Sequence, residues 1–213
     1  DGEIWVLKRA VYGLRVSPRL WGKERDKILE GMRFKHGKSV SRLFTSSIDL
    51  TLWSIVEDVD HNQLHNMKTF GYVLTYVDDF LIVGPKPVRS RIEEEIARVW
   101  SCKLTGEVEQ YDKENPAKSL TFLSTTIRSP PEGGFLLDQE LFVKDLLSTW
   151  QMSDCRPSVA PGDPSGLEMS LGNPEEEIDA DDVWKAQKIA GSLIWLSTRT
   201  RPDVRTVKAE FPV

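Results

Sequence analysis

Phe70-Gly71-Tyr72-Val73-Leu74-Thr75-Tyr76-Val77-Asp78-Asp79-Phe80-Leu81-Ile82-Val83-Gly84-Pro85 is the stretch on which the fold turns. Residues 70–77 form a β-prone run rich in aromatic and β-branched side chains, and 80–83 form another. Only Asp78-Asp79 separates them, and Gly84-Pro85 closes the segment. Two apolar runs around a two-residue polar break predict an antiparallel hairpin with a tight loop. Adjacent carboxylates at such a tip raise each other's cost of ionisation, and a divalent cation removes that cost. Hard carboxylate oxygens suit Mg²⁺, or Mn²⁺ in its place. Asp78 and Asp79 are therefore the candidate metal ligands and catalytic residues. An ordinary turn also tolerates Asp twice, so the dipeptide by itself leaves both readings open.

Outward from the hairpin, Ser17-Pro18 has the form of an N-cap followed by Pro at the first helical position. From Pro18 to about Gly31, Trp21, Ile28, Leu29 and Met32 recur at helical spacing, with basic residues expected on the other side. Val88, Ile92, Ile96, Val99 and Trp100 predict a second amphipathic helix. Residues 4–7 and 49–56 read as strands. Residues 120–127 and 135–137 read as a second hairpin around Pro130-Pro131-Glu132-Gly133-Gly134. Helices are expected over 141–150 and 183–197. The acidic Pro/Gly-rich segment 157–182 reads as a linker.

The chain has 213 residues, enough for one sizeable domain or two small ones. At 39% hydrophobic and 29% charged it can fill a core, and wholesale disorder is not expected. No apolar run approaches the length of a membrane span, and the amino end carries no basic leader pattern. Cys102 and Cys155 are distant from each other, which suits a reduced intracellular protein rather than a disulfide framework. The net charge of −5 hides an asymmetry. Residues 1–48 hold 11 Lys/Arg against 5 Asp/Glu, while 162–182 hold 8 acids and no base. A basic head with an acidic linker fits a polyanion-binding protein, although solvated faces would look the same.

Beyond Tyr76-Val77-Asp78-Asp79, further segments carry a family likeness. Leu7-Lys8-Arg9-Ala10-Val11-Tyr12-Gly13-Leu14-Arg15, followed by Ser17-Pro18-Arg19-Leu20-Trp21, resembles the Tyr-Gly-Leu-Lys-Gln-Ala-Pro-Arg-x-Trp segment of copia-type retrotransposon reverse transcriptases. Lys103-Leu104-Thr105-Gly106-Glu107, Thr121-Phe122-Leu123, Gln139 with the following helix, Pro161, Gly191-Ser192-Leu193 and Thr200-Arg201-Pro202-Asp203 fall in the order of that family.

The resemblance implies an α+β reverse-transcriptase-like palm, with an antiparallel sheet, flanking helices and a helical thumb or connection. On that pattern residues 1–128 are a partial palm and 129–156 begin the thumb. Residues 157–182 form the linker, and 183–213 lead toward a ribonuclease H domain. It implies RNA-directed DNA polymerase activity by a two-metal mechanism, with an RNA or DNA template-primer and deoxynucleoside triphosphates as partners. The location would be cytoplasmic, within a virus-like particle, and/or nuclear. By carry-over Asp78 and Asp79 bind the metal. Tyr76, Val77, Gly13 and Arg15 lie at the nucleotide or primer end, and Phe122 and Leu123 hold the primer strand.

Three departures stand out. Val16 replaces the usual Gln, and Ser124 replaces the usual Gly, which puts strain in that turn. On the family pattern an Asp-bearing strand lies well upstream of Tyr12-Gly13-Leu14 and this chain starts too late to include it, so the chain alone is expected to be inactive. A decayed or co-opted remnant, binding nucleic acid without catalysis, is the alternative.

Weaker signals remain. Arg19, Lys23 and Lys27 on the predicted helix suit template phosphates and suit a solvent face equally. His61 and His65 lack partners at supporting spacing and read as a solvated loop. Trp21, Trp100, Trp150 and Trp195 fall on apolar faces and read as packing residues rather than base-stacking platforms. A chance Asp-Asp turn in an unrelated domain would betray itself by lacking a hairpin at 72–83 beside the helix at 18–31.

Overall fold

The structure is a computed structural model and describes residues 8, 10–59, 67–114, 118–157 and 179–204. The expected strand at 4–7, the His61/His65 connection and most of the linker lie outside these residues. Among the described residues the fold is mixed α/β with antiparallel sheets and four helices, and the chain divides into two compact units, Asp1–Lys103 and Leu104–Val213.

Among its described residues the first unit is a five-stranded antiparallel meander with two helices. Its elements are α1 (Ser17–Gly31), β1 (Arg33–His36), β2 (Ser39–Thr45), β3 (Leu52–Glu57), β4 (Thr69–Tyr76), β5 (Asp79–Val83) and α2 (Lys86–Val99). Each strand pairs with its sequence neighbour. Along β4 the burial alternates, with Gly71, Val73 and Thr75 inward and Tyr72 and Tyr76 exposed, as the two-residue period of a strand requires. The inward set continues through Phe34, Leu43, Trp53 and Ile55. It packs against Leu29 of α1 and Val88, Ile92 and Ile96 of α2. Both helices thus cover one face of the sheet.

Two expectations change here. Ser17 is not the N-cap: Val16 holds that position, and the Ser17 hydroxyl donates instead to the Val11 carbonyl at 2.6 Å. Of the basic residues of α1, expected opposite the apolar stripe, Arg25 lies instead on the buried face, 8% exposed. The pair β1–β2 is unforeseen. Its turn uses Gly37 at φ 57°, between the paired residues His36 and Ser39.

The second unit contains a three-stranded antiparallel sheet, β6 (Leu120–Phe122), β7 (Thr125–Arg128) and β8 (Leu136–Asp138), with helices α3 (Glu140–Thr149) and α4 (Ala180–Arg199). The run 120–127, expected as one strand, is two. Leu123 and Ser124 turn the chain at φ 50° and 59°, and Phe122 pairs with Thr125. Consecutive left-handed residues match the twist of a tight hairpin, a role that Leu and Ser do not advertise. Cys102 and Cys155 are free and exposed. Among the described residues no helix is long and apolar enough to cross a membrane.

Candidate active site

The hairpin over 70–83 forms, but its corner sits one residue earlier than the sequence suggests. Tyr76 pairs with Asp79, so the two turn residues are Val77 and Asp78, and Asp79 opens β5. Asp79 shares with Tyr76 the face turned away from the helices, since directly opposed residues project to the same side. Both carboxylates are exposed at the tip. The base of the hairpin depends on close backbone approach. A Cβ on Gly71 would meet the Val83 carbonyl oxygen at 2.3 Å, so only glycine fits there.

Val77 takes φ 52°, a left-handed conformation that is an outlier for a β-branched residue. Such a backbone costs about 1–3 kcal/mol and persists only where its surroundings over-determine it. Here they do. The Trp21 indole Nε1 donates to the Val77 carbonyl at 2.8 Å, and Arg25 Nη1 donates to the same oxygen at 3.0 Å. One neutral and one charge-assisted hydrogen bond contribute about 2–4 kcal/mol together, enough to offset the strain.

Arg25 is itself neutralised. Its Nε and Nη2 donate to Asp26 Oδ1 at 2.9 and 2.8 Å, so the buried guanidinium is paired. Beside it, Trp21 meets Trp100 edge-on with ring centroids 5.8 Å apart, and Trp100 stacks on Phe80 at 5.6 Å. The hairpin is therefore bolted to α1 by two polar contacts and a three-ring cluster. The hairpin and the helix stand side by side, the arrangement whose absence would have favoured a chance Asp-Asp turn.

The other sequence-derived residues distribute as follows. Tyr76 is 45% exposed and Val77 51% exposed, both at the tip. Gly13 has φ 90° and open space where a Cβ would be, and Arg15 is exposed on the turn before α1. Arg19, Lys23 and Lys27 are exposed at four-residue intervals, on the side of α1 away from Trp21 and Leu29. Glu30 lies on that same side, so the face is basic but not uniformly so. Phe122 and Leu123 belong to the second unit, at the end of β6 and the start of its turn. That unit also has a cleft of about 500 Å³ bordered by Tyr111, Arg128, Asp138 and Glu140, which none of the sequence-derived residues lines.

Sequence reasoning missed Arg25 as a functional neighbour and took Trp21 for packing alone. The signal was present in the spacing: Trp21, Arg25 and Leu29 recur every four residues on one helical stripe.

A divalent cation fits the donor chemistry of the tip. Asp78 and Asp79 supply hard oxygens in the open, and Mg²⁺ ordinarily retains several waters alongside one or two carboxylates. The Val77 oxygen already accepts two hydrogen bonds and is not a further ligand. Among the described residues no third His, Cys, Asp or Glu joins the pair in a metal-sized cluster.

No family model and no solved structure matches the chain. Curated proteins that resemble it over most of its length include the following three. The Ty5-1 transposon protein YCL074W of Saccharomyces cerevisiae is 22% identical over 203 residues, covering 94% of this chain and 55% of that protein. The retrovirus-related Pol polyprotein from transposon RE1 of Arabidopsis thaliana is 28% identical over 199 residues, covering 93% of this chain and 11% of the polyprotein. The corresponding RE2 polyprotein is 26% identical over the same length, again 11% of its own sequence. The chain thus spans about half of the first relative and a small part of the other two. Its relatives are retrotransposon-encoded proteins, two of them Pol polyproteins, at 22–28% identity.

Proposed function

We propose that the chain is a palm-type portion of a retroelement RNA-directed DNA polymerase, in which Asp78 and Asp79 hold Mg²⁺. One observation carries the reading: Tyr76-Val77-Asp78-Asp79 forms the tip of an antiparallel hairpin, with both carboxylates exposed and the turn fastened to α1. The retrotransposon Pol relatives support it.

The reaction is attack of a primer 3′-hydroxyl on the α-phosphate of a deoxynucleoside triphosphate, with pyrophosphate leaving. Bound Mg²⁺ would lower the pKa of the attacking hydroxyl and offset charge on the departing oxygens. Asp78 and Asp79 provide fixed negative oxygens for that ion. Tyr76, opposite Asp79 on the same sheet face, offers a ring against which the primer end or incoming base can rest. Gly13, Arg15, Phe122 and Leu123 are assigned to nucleotide and primer by resemblance, and Arg19, Lys23 and Lys27 to template phosphates.

Two carboxylates are fewer than such a palm employs. β5 forms one edge of the sheet among the described strands, and a further strand laid against it could bring a third carboxylate to the tip. The test is primer extension on an RNA template with Mg²⁺. The chain alone should extend primers negligibly. The chain lengthened at its amino end by its own reading frame should extend them, and Asp78→Asn/Asp79→Asn should abolish that extension. Undiminished extension by the double amide would sink the reading.

That the carboxylate pair has no third metal-ligating partner among the described residues leaves room for a second reading, a remnant that binds nucleic acid without catalysis. An amino-terminally lengthened chain that binds template-primer yet never extends it would support this one.

A further inference from the structure

Among the non-glycine residues described in the first unit, Val77 alone has a positive φ. Its carbonyl belongs to the same rigid peptide plane as the Asp78 nitrogen. Fixing that oxygen fixes where the Asp78 Cα and its side chain begin. Both donors to the oxygen come from α1, one helical turn apart, and a carbonyl has two lone pairs to receive them. Neither donor is easily diverted: the Trp21 ring is set against Trp100, and the remaining Arg25 contacts go to Asp26.

We propose that Trp21 and Arg25 are positioning residues for the Asp78–Asp79 pair, holding Val77 in its left-handed conformation so that both carboxylates project from a fixed turn. The proposal rests on the metal-binding reading above and deepens it. The two side chains contact the Val77 carbonyl, Asp26 and Trp100. They act through one peptide plane, and by occupying the Val77 oxygen they leave ion binding to the carboxylates.

The test is a double-mutant cycle read as Mn²⁺ affinity by electron paramagnetic resonance of the free ion. Trp21→Phe removes the indole N–H and keeps a ring, while Arg25→Met keeps the stem. Each should weaken Mn²⁺ binding about tenfold. Val77→Gly makes the left-handed backbone accessible without help. In that background the same two substitutions should weaken binding less than about twofold. Equal losses in both backgrounds would overturn the proposal, because side chains that merely pack would be indifferent to residue 77.

If the unsubstituted chain binds Mn²⁺ no better than Asp78→Asn/Asp79→Asn, the metal reading fails. The clamp is then judged by amide hydrogen exchange without metal. Trp21→Phe and Arg25→Met should speed exchange at Asp78, Asp79 and Phe80 and leave the β2–β3 amides unchanged. Unchanged exchange at the tip would overturn the clamp. Accelerated exchange throughout β2–β3 would equally overturn it, since the two side chains would then serve the whole unit.

Discussion

The indole N–H of Trp21 reaches the carbonyl oxygen of Val77 at 2.8 Å, across 56 positions of sequence. This contact makes the helix and the carboxylate-bearing hairpin one mechanical piece, and its stability cost is measurable. Trp21→Phe should destabilise the chain by about 1 kcal/mol, the net worth of one hydrogen bond. Trp21→Ala, which also empties the space beside Trp100, should cost about 2–3 kcal/mol after allowing for its partial burial. Urea denaturation followed by circular dichroism separates the two. Equal costs would mean that the N–H contributes nothing beyond the ring.

Gly71→Ala should destabilise the hairpin by about 1–3 kcal/mol, at the upper end because the obstructing atom is the Val83 backbone oxygen and cannot rotate away. A chemical midpoint unchanged from the parent would show that the backbones can part at the hairpin base without penalty.

Neutralising the tip should separate stability from ion binding. Asp78 and Asp79 are exposed neighbours of like charge, so Asp79→Asn in metal-free buffer should change stability by no more than about 0.5 kcal/mol. The same substitution should cut Mn²⁺ affinity at least about tenfold, because half of the carboxylate set is gone. A large loss of stability would instead mark Asp79 as a structural residue of β5.

Trp53 lies at the centre of the sheet, 1% exposed, among the core strands. Trp53→Ala should cost about 3–5 kcal/mol and unfold much of the first unit at physiological temperature. Retention of a cooperative transition within about 1 kcal/mol of the parent would contradict the packing described.

Acid should act through three exposed carboxyls. The Thr51 hydroxyl and amide hold Asp49 below its ordinary value of 3.8. The Arg201 side-chain hydrogen bonds hold Asp203 below 3.8, and the Lys144 hydrogen bond holds Glu140 below 4.5. Because each folded value is depressed, the stabilisation is fully present above the ordinary values. It is lost as pH falls through the lowered ones. Carboxyl carbon-13 shifts followed through the acid range should give midpoints below 3.8 for the two aspartates and below 4.5 for Glu140. Midpoints at or above those values would contradict the contacts.

The helices and the central hairpin were legible because their signals are repeated. Val88, Ile92 and Ile96 recur on one stripe, and residues 70–83 are apolar on both sides of one polar break. The pair β1–β2 was not, because β1 is only four residues long, Val40 and Phe44 lie on the exposed face, and Ser41, a polar residue, sits fully buried. The split of 120–127 turned on Leu123 and Ser124 adopting positive φ; the family's Gly at position 124 pointed to that turn, but the side chains present, set in a β-prone run, do not. At the tip, chemistry was readable and geometry was not. The carboxylates stood out as a pair, but the corner at Val77 is set by donors 52 and 56 positions away. A local reading places the turn at the polar residues, and long-range contacts moved it by one.

The meander also carries a kinetic consequence. Every strand of the larger sheet finds its partner next along the chain, so no pairing waits on a strand other than its immediate successor. Such a sheet can assemble in the order in which a ribosome releases it. By the time residues 77–79 emerge, the amphipathic segment that receives them has long been synthesised, ready as a seat for the last ribbon to arrive.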